Sequence, residues 1–201
     1  KISYAYPEVR SFLLSVLKDA LKLGPDGIHL QFLRHPPFFG YDKPLIEAYK
    51  QRYGKFEKRD YMNDKWQKLQ CGMMTEFVGQ VRALLDQESK KRGQKLSFSV
   101  SFDQGRYYRQ GLDVRKWVKA GWLDVISPGC HGSSGATVPM KQFADMVRGT
   151  SCKIFPQVEA TLEGHDPTPD EEKGLIKVKR VSMSLNHFKK IFMLMHDQGA
   201  Y

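Results

Sequence analysis

Four stretches of this chain alternate polar and apolar residues with a period of two, and each follows a stretch of helical spacing. The first, 26–37, reads DGIHLQFLRHPP; the others are KLSFSVSFD at 95–103, LDVISPGCHG at 123–132 and KIFPQVEATLE at 153–163. In the first, Ile28, Leu30 and Phe32 share one parity, while His29 and Gln31 share the other. Successive side chains of a strand point to opposite faces, so the pattern predicts strands with one apolar and one polar face. The three later stretches each end in Asp, Gly, His or Glu, and function is expected at the strand ends.

The intervening segments read as helices. Over 7–23, Val9, Phe12, Leu13, Val16, Leu17 and Ala20 recur at helical spacing, Pro7 suits a first turn, and Gly24-Pro25 is a stop. A short helix is expected at 45–53. A longer one is expected at 62–91 through Trp66, Leu69, Met73, Phe77, Val81, Leu84 and Leu85. Gly72 and Gly79 argue against an unbroken run there, and Gly93 ends it. Asp113 is an N-cap for a helix holding Val114, Trp117 and Val118. Pro139 opens another through Phe143, Met146 and Val147, and 185–197 is the last. HDPTPDEEKG at 165–174 reads as a long loop, and 199–201 as the entry to another strand. Alternating helices and strands predict parallel strands joined by helical crossovers.

Two architectures satisfy that order. An open doubly wound sheet usually has strands apolar on both faces. Here one parity is repeatedly small or polar: His29 and Gln31; Ser97, Ser99, Ser101 and Asp103; Gln157 and Glu159. Strands that bury apolar groups under helices and turn polar groups toward a common axis fit an α/β fold of the (β/α)8 TIM-type barrel class. An open sheet with one polar face is the alternative. No GxGxxG or GxxxxGK[ST] follows any strand, so neither a dinucleotide nor a P-loop nucleotide site is indicated, and no cofactor is expected.

The bulk properties narrow the partners. The 201 residues make one domain, 1–201, and the formal net charge is +10. The basic residues are spread through helical patterns and mixed with acids, so no nucleic-acid partner is expected. Cys71, Cys130 and Cys152 are too few and too far apart for a disulfide scaffold, and they lack CxxC metal spacing. No apolar run is long enough to span a membrane. Oligomeric state is not legible. The first residue is Lys1 rather than methionine, so the chain reads as processed or trimmed.

Several segments also carry a resemblance. They are Tyr6-Pro7-Glu8-Val9-Arg10; the 26–37 stretch; Gly111-Leu112-Asp113-Val114 with Trp117-Val118 and Gly121-Trp122-Leu123-Asp124-Val125-Ile126-Ser127-Pro128; and Gln198-Gly199-Ala200-Tyr201. With them the chain resembles the glycosyl-hydrolase-like barrel proteins, bacterial (β/α)8 domains often exported and associated with polysaccharide or cell-wall breakdown. The resemblance implies a glycoside hydrolase of a polysaccharide or glycan and an extracellular or periplasmic location. It also implies that these residues are an incomplete portion of the barrel, about strands 4 to 7 with their helices. Four strands do not close an eight-stranded barrel.

Catalytic groups of such barrels sit at the C-terminal strand ends. Asp26 and Asp124 lie at strand starts and are expected to cap or pair. Glycosidic hydrolysis normally takes two carboxyls, about 5–5.5 Å apart for retention and about 6.5–9.5 Å for inversion. Glu159, with inward parity at a strand end, is the first candidate as nucleophile or base, and Asp103 is the second carboxylate. Gln31 complicates this pairing. The related enzymes resemble it with an acid there, in a DGIHLDF-like strand, whereas an amide neither donates nor accepts the catalytic proton. The alternative is therefore a non-catalytic carbohydrate-binding barrel. His29, Gln31, Arg34, His35, Tyr107, Tyr108 and His131 are the candidate substrate-binding residues. Phe38, Phe39, Tyr41 and Trp122 add aromatic stock, while Trp66 and Trp117 sit at core spacing. His35, His131 and His165 carry no metal-ligand spacing, so no metal site is assigned.

Overall fold

The computed structural model describes residues 2–33, 36–130, 138–158, 161–163, 168–177 and 181–201. Helix α1 (Pro7–Leu21) leads to strand β1 (Gly27–Phe32), α2 (Lys43–Tyr53) and α3 (Asp64–Arg92). Strand β2 (Ser97–Asp103), α4 (Val114–Lys119), β3 (Val125–Gly129), α5 (Met140–Val147) and β4 (Lys153–Ile154) follow. Beyond them come β5 (Thr161–Glu163), α6 (Pro169–Glu172), β6 (Val181–Ser182) and α7 (Leu185–Asp197).

The first four strands form one parallel sheet in the order β1-β2-β3-β4. Each strand pairs with the next in sequence, whereas a doubly wound sheet reverses its order at a switch point. The arrangement is therefore that of a partial (β/α) barrel. The ladder continues past β4, where the Phe155 and Gln157 amides donate to Ile126 and Pro128 carbonyls at 2.9 Å each. On the other side of β4 the Tyr201 amide donates to the Ile154 carbonyl at 2.9 Å, so 199–201 does begin a neighbouring strand.

One parity of the strands builds the core. Leu30, Phe32, Phe98, Val100, Phe102, Ile126 and Ile154 pack in a single cluster with Trp66, Phe77, Leu85, Trp117, Phe143 and Met146 from the helices. Each such large side chain contributes roughly 1.5–3 kcal/mol on leaving water. Trp66 and Trp117 lie at full burial here, as their spacing predicts.

Helix α3 is continuous through both glycines. The Asn63 side chain accepts the Trp66 amide at 2.8 Å at its start, and Gly93 ends it in the left-handed region at φ 64°. Lys90, Lys91 and Arg92 complement the dipole of its last turn. Gly79 suits the packing: a Cβ there would sit 3.0 Å from the Trp122 ring, which would have to give by a few tenths of an ångström. Trp122 thus belongs to the helix layer. The 165–174 segment also departs from expectation, because Thr168 and Glu171 form a capping box and start α6. Residues 161–163, read as the end of the fourth period-two stretch, instead form β5, which pairs antiparallel with β6 in a separate two-stranded sheet.

Candidate active site

The other strand parity faces away from the helices, and parallel register aligns it in rows. Nearest the N-terminal ends are His29, Ser99, Val125 and Lys153. Gln31, Ser101 and Ser127 come next, followed in that row by Phe155 and Tyr201 through the ladder bonds above. Asp103, Gly129 and Gln157 form the row at the C-terminal ends. We refer to this face as the inner wall.

Hydrogen bonds tie the wall together. His29 Nδ1 lies 2.8 Å from Ser99 Oγ and its Nε2 lies 3.0 Å from Ser101 Oγ. Ser101 Oγ also donates to Gln31 Oε1, and Ser127 Oγ donates to the Phe155 carbonyl at 2.6 Å. Phe155 is 44% exposed, with the Tyr201 ring centroid 5.7 Å away. Lys153 Nζ lies 3.4 Å from the centre of the Tyr201 ring, and its hydrogen bond and charge hold that phenol below its usual range. Sequence reasoning missed Phe155 and Tyr201. Phe155 was findable, since it shares the parity of Gln157 two residues on.

Asp103 stands where its parity predicts, in the row at the strand ends and 5% exposed. Its Oδ1 accepts the amides of Gly105 and Arg106 at 2.9 Å each, and its Oδ2 accepts Arg106 Nε and Nη2 at 3.2 and 2.9 Å. The carboxylate thereby folds the loop after β2 and raises the pKa of Arg106 through hydrogen bonding and charge. Asp124, at the opposite end, accepts the Phe98 amide at 2.9 Å and pairs with Arg82 and Lys95, the structural work expected of it.

The two tyrosines do not face the inner wall. Tyr107 packs against Phe102 and Phe143, with centroids 5.1 and 6.4 Å away, and burial pushes its phenol up. Tyr108 is 41% exposed and, together with Tyr107, borders an outer cleft of about 550 Å³ that Gln67, Gln104, Arg109 and Gln142 also line. Phe39 is buried, and Phe38 and Phe39 pack on Tyr4, so that loop's aromatic cluster belongs to the core. Tyr41 stacks on Tyr61 at 4.1 Å. A larger cavity, of about 660 Å³, lies between α1 and α3 and is lined by residues of those two helices, Leu14, Lys18 and Gln87 among them.

Glu159, Arg34, His35, His131 and His165 lie outside the described residues. Among the described residues, no three His, Cys, Asp or Glu side chains gather as a metal set. No helix among them is long and apolar enough to cross a membrane. Burial pushes the thiols of Cys71 and Cys152 up to about 12, which leaves them poor nucleophiles.

The profile of the family described as glycosyl hydrolase-like 10 matches residues 2–157, from before α1 to the end of the inner wall's last row. The chain belongs to that family. No curated protein matches it significantly. Membership in glycosyl hydrolase-like 10 and the one-way strand order agree on the architecture, a fold of carbohydrate-active enzymes. The matched segment holds β1, β2 and β3 entire, so every described residue of the three inner-wall rows except Tyr201 falls within the glycosyl hydrolase-like 10 region.

Proposed function

We propose that the chain is one sector of a closed (β/α)8 barrel whose inner wall binds a saccharide and hydrolyses a glycosidic bond with a pair of carboxylates. The middle row supports this best. In that row the Gln31 amide and the Phe155 and Tyr201 rings are exposed on one face, over the buried hydroxyls of Ser101 and Ser127. Amides and hydroxyls match sugar hydroxyls, and aromatic rings match the C–H face of a pyranose. In this reading Glu159 acts as nucleophile or base and Asp103 is the second carboxylate. For Asp103 to hand over a proton its pairing with Arg106 has to open, and the guanidinium, 68% exposed, is free to turn into water. Export from the cytoplasm belongs to the same proposal.

The test is release of reducing ends from a panel of polysaccharides by the purified full-length protein. Glu159→Gln and Asp103→Asn are each expected to slow turnover at least about a hundredfold. A Glu159→Gln variant that hydrolyses a proven substrate as fast as the parent rejects the role given to Glu159.

A second reading is favoured by one observation. Gln31 places an amide in the middle row, and Asp103, the carboxylate of the described inner-wall rows, is already engaged by four donors. That combination suits a barrel that binds carbohydrate without cleaving it. Saccharide binding with no turnover supports this reading, and measurable turnover on any glycan ends it.

A further inference from the structure

We propose that the outer cleft beside Tyr108 is a second, non-catalytic saccharide subsite, holding a distal part of the same glycan whose scissile bond lies on the inner wall. The proposal rests on the carbohydrate reading of that wall and adds a place for the polymer outside it. One step along the chain leads from one site to the other. Asp103 stands in the inner wall's last row, and the next residue, Gln104, lines the cleft. The Gln104 amide donates to the Gly129 carbonyl at 2.8 Å, and the Tyr107 amide donates to the Asp103 carbonyl at 3.1 Å. The turn after β2 is therefore a lip between the two sites. Helices α3 and α5 both start at this C-terminal face and complete the cleft through Gln67 and Gln142.

The lining has the chemistry of sugar binding without that of sugar cleavage. No Asp, Glu or His is among the described residues that line the cleft, so they offer no carboxyl pair to protonate a leaving group or activate water. They offer instead the half-exposed Tyr108 ring, three glutamine amides and the exposed Arg109 guanidinium. An aromatic ring covers the C–H face of a pyranose, while amides and a guanidinium bond its oxygens. Gln67 is held in place beforehand. Its Nε2 donates to the Met62 carbonyl at 2.7 Å, a partner that can only accept, which leaves the side-chain oxygen for a sugar hydroxyl. A group fixed in this way loses little freedom on binding. The volume of about 550 Å³ falls within the range of about 300–1,000 Å³ usual for ligand pockets. By contrast, no aromatic side chain lines the larger cavity between α1 and α3.

Calorimetric titration of the full-length protein tests this, in a Glu159→Gln background that suppresses turnover. Cellotriose and trigalacturonate serve as the neutral and the acidic probe. Two equivalents of whichever probe binds are expected per protein. Tyr108→Ala combined with Arg109→Ala is expected to weaken one of them by at least about tenfold, and Gln31→Ala the other. Tyr108→Phe keeps the ring and is expected to bind within about twofold of the parent. A melting temperature beside each titration shows that the fold is intact, and Arg109→Ala alone decides the case if the double variant melts early. Binding that responds to Gln31→Ala but not to the cleft substitutions overturns the proposal and leaves the carbohydrate reading standing. The reverse pattern upholds the cleft and counts against the inner wall. Binding of neither probe, or binding blind to all three substitutions, overturns both.

Discussion

Gly129 and Gln157 compete for one space on the inner wall. A Cβ at position 129 would lie 2.8 Å from the Gln157 Cβ, closer than real Cβ atoms approach. The glycine lets β3 and the extension of β4 run side by side while the amide of Gln157 crosses the place a side chain would fill. Gly129→Ala is expected to destabilise the fold by about 1–3 kcal/mol. Because the clash is with Cβ, adding Gln157→Ala gives no relief, whereas adding Gln157→Gly does. Chemical denaturation of the three variants checks the order.

Asp103 and Arg106 are unequal partners. The carboxylate is buried and holds two backbone amides as well as the guanidinium, so Asp103→Ala strands several donors and is expected to cost roughly 2–3 kcal/mol. Arg106→Ala removes an exposed group and leaves the amides satisfied, with an expected cost below about 1 kcal/mol. Equal losses in urea unfolding would contradict this division.

At the N-terminal ends, Asp124 does structural work without facing a ligand. Its carboxylate takes the Phe98 amide and lies 3.6 Å from Arg82, which is itself buried. Asp124→Ala is expected to lower stability by roughly 2–3 kcal/mol. Saccharide affinity below the unfolding temperature is expected to stay within about twofold, because catalytic and binding groups of such barrels collect at the other face. Calorimetric titration beside a thermal melt separates the two effects.

The buried thiols give a pH dependence with a definite sign. Burial raises Cys71 and Cys152 from an ordinary value of 9.0 to about 12. Between those values the unfolded chain has released thiol protons that the native chain retains, so the unfolded state binds fewer protons and stability falls as pH rises. Their contribution is complete below pH 9 and declines from there toward about 12. Urea unfolding at about pH 8 and about pH 10 measures the drop, and a Cys71→Ala, Cys152→Ala double variant is expected to show a smaller one.

Much of this architecture is legible in the residue order because two periods dominate it. Ile28, Leu30 and Phe32 against His29 and Gln31 give β1 its two faces, and the final helix at 185–197 carries its own spacing. What escaped depends on contacts between distant segments. Gly79 reads as a helix breaker until Trp122 is placed against it, and Phe39 reads as a loop aromatic until Tyr4 closes over it. The donors that occupy Asp103 come from a turn whose shape no spacing rule announces. Tyr107 and Tyr108 are adjacent in sequence and both border the cleft beyond β2, but the Tyr107 ring also packs on Phe102 and Phe143.

The location of a bound oligosaccharide, determined by co-crystallisation with the full-length protein, tests the central claim most directly. The account predicts a sugar ring against Phe155 with an oxygen within hydrogen-bond distance of the Gln31 carboxamide. A sugar held only in the outer cleft by Tyr108 and Arg109, with the inner wall occupied by water alone, would contradict it.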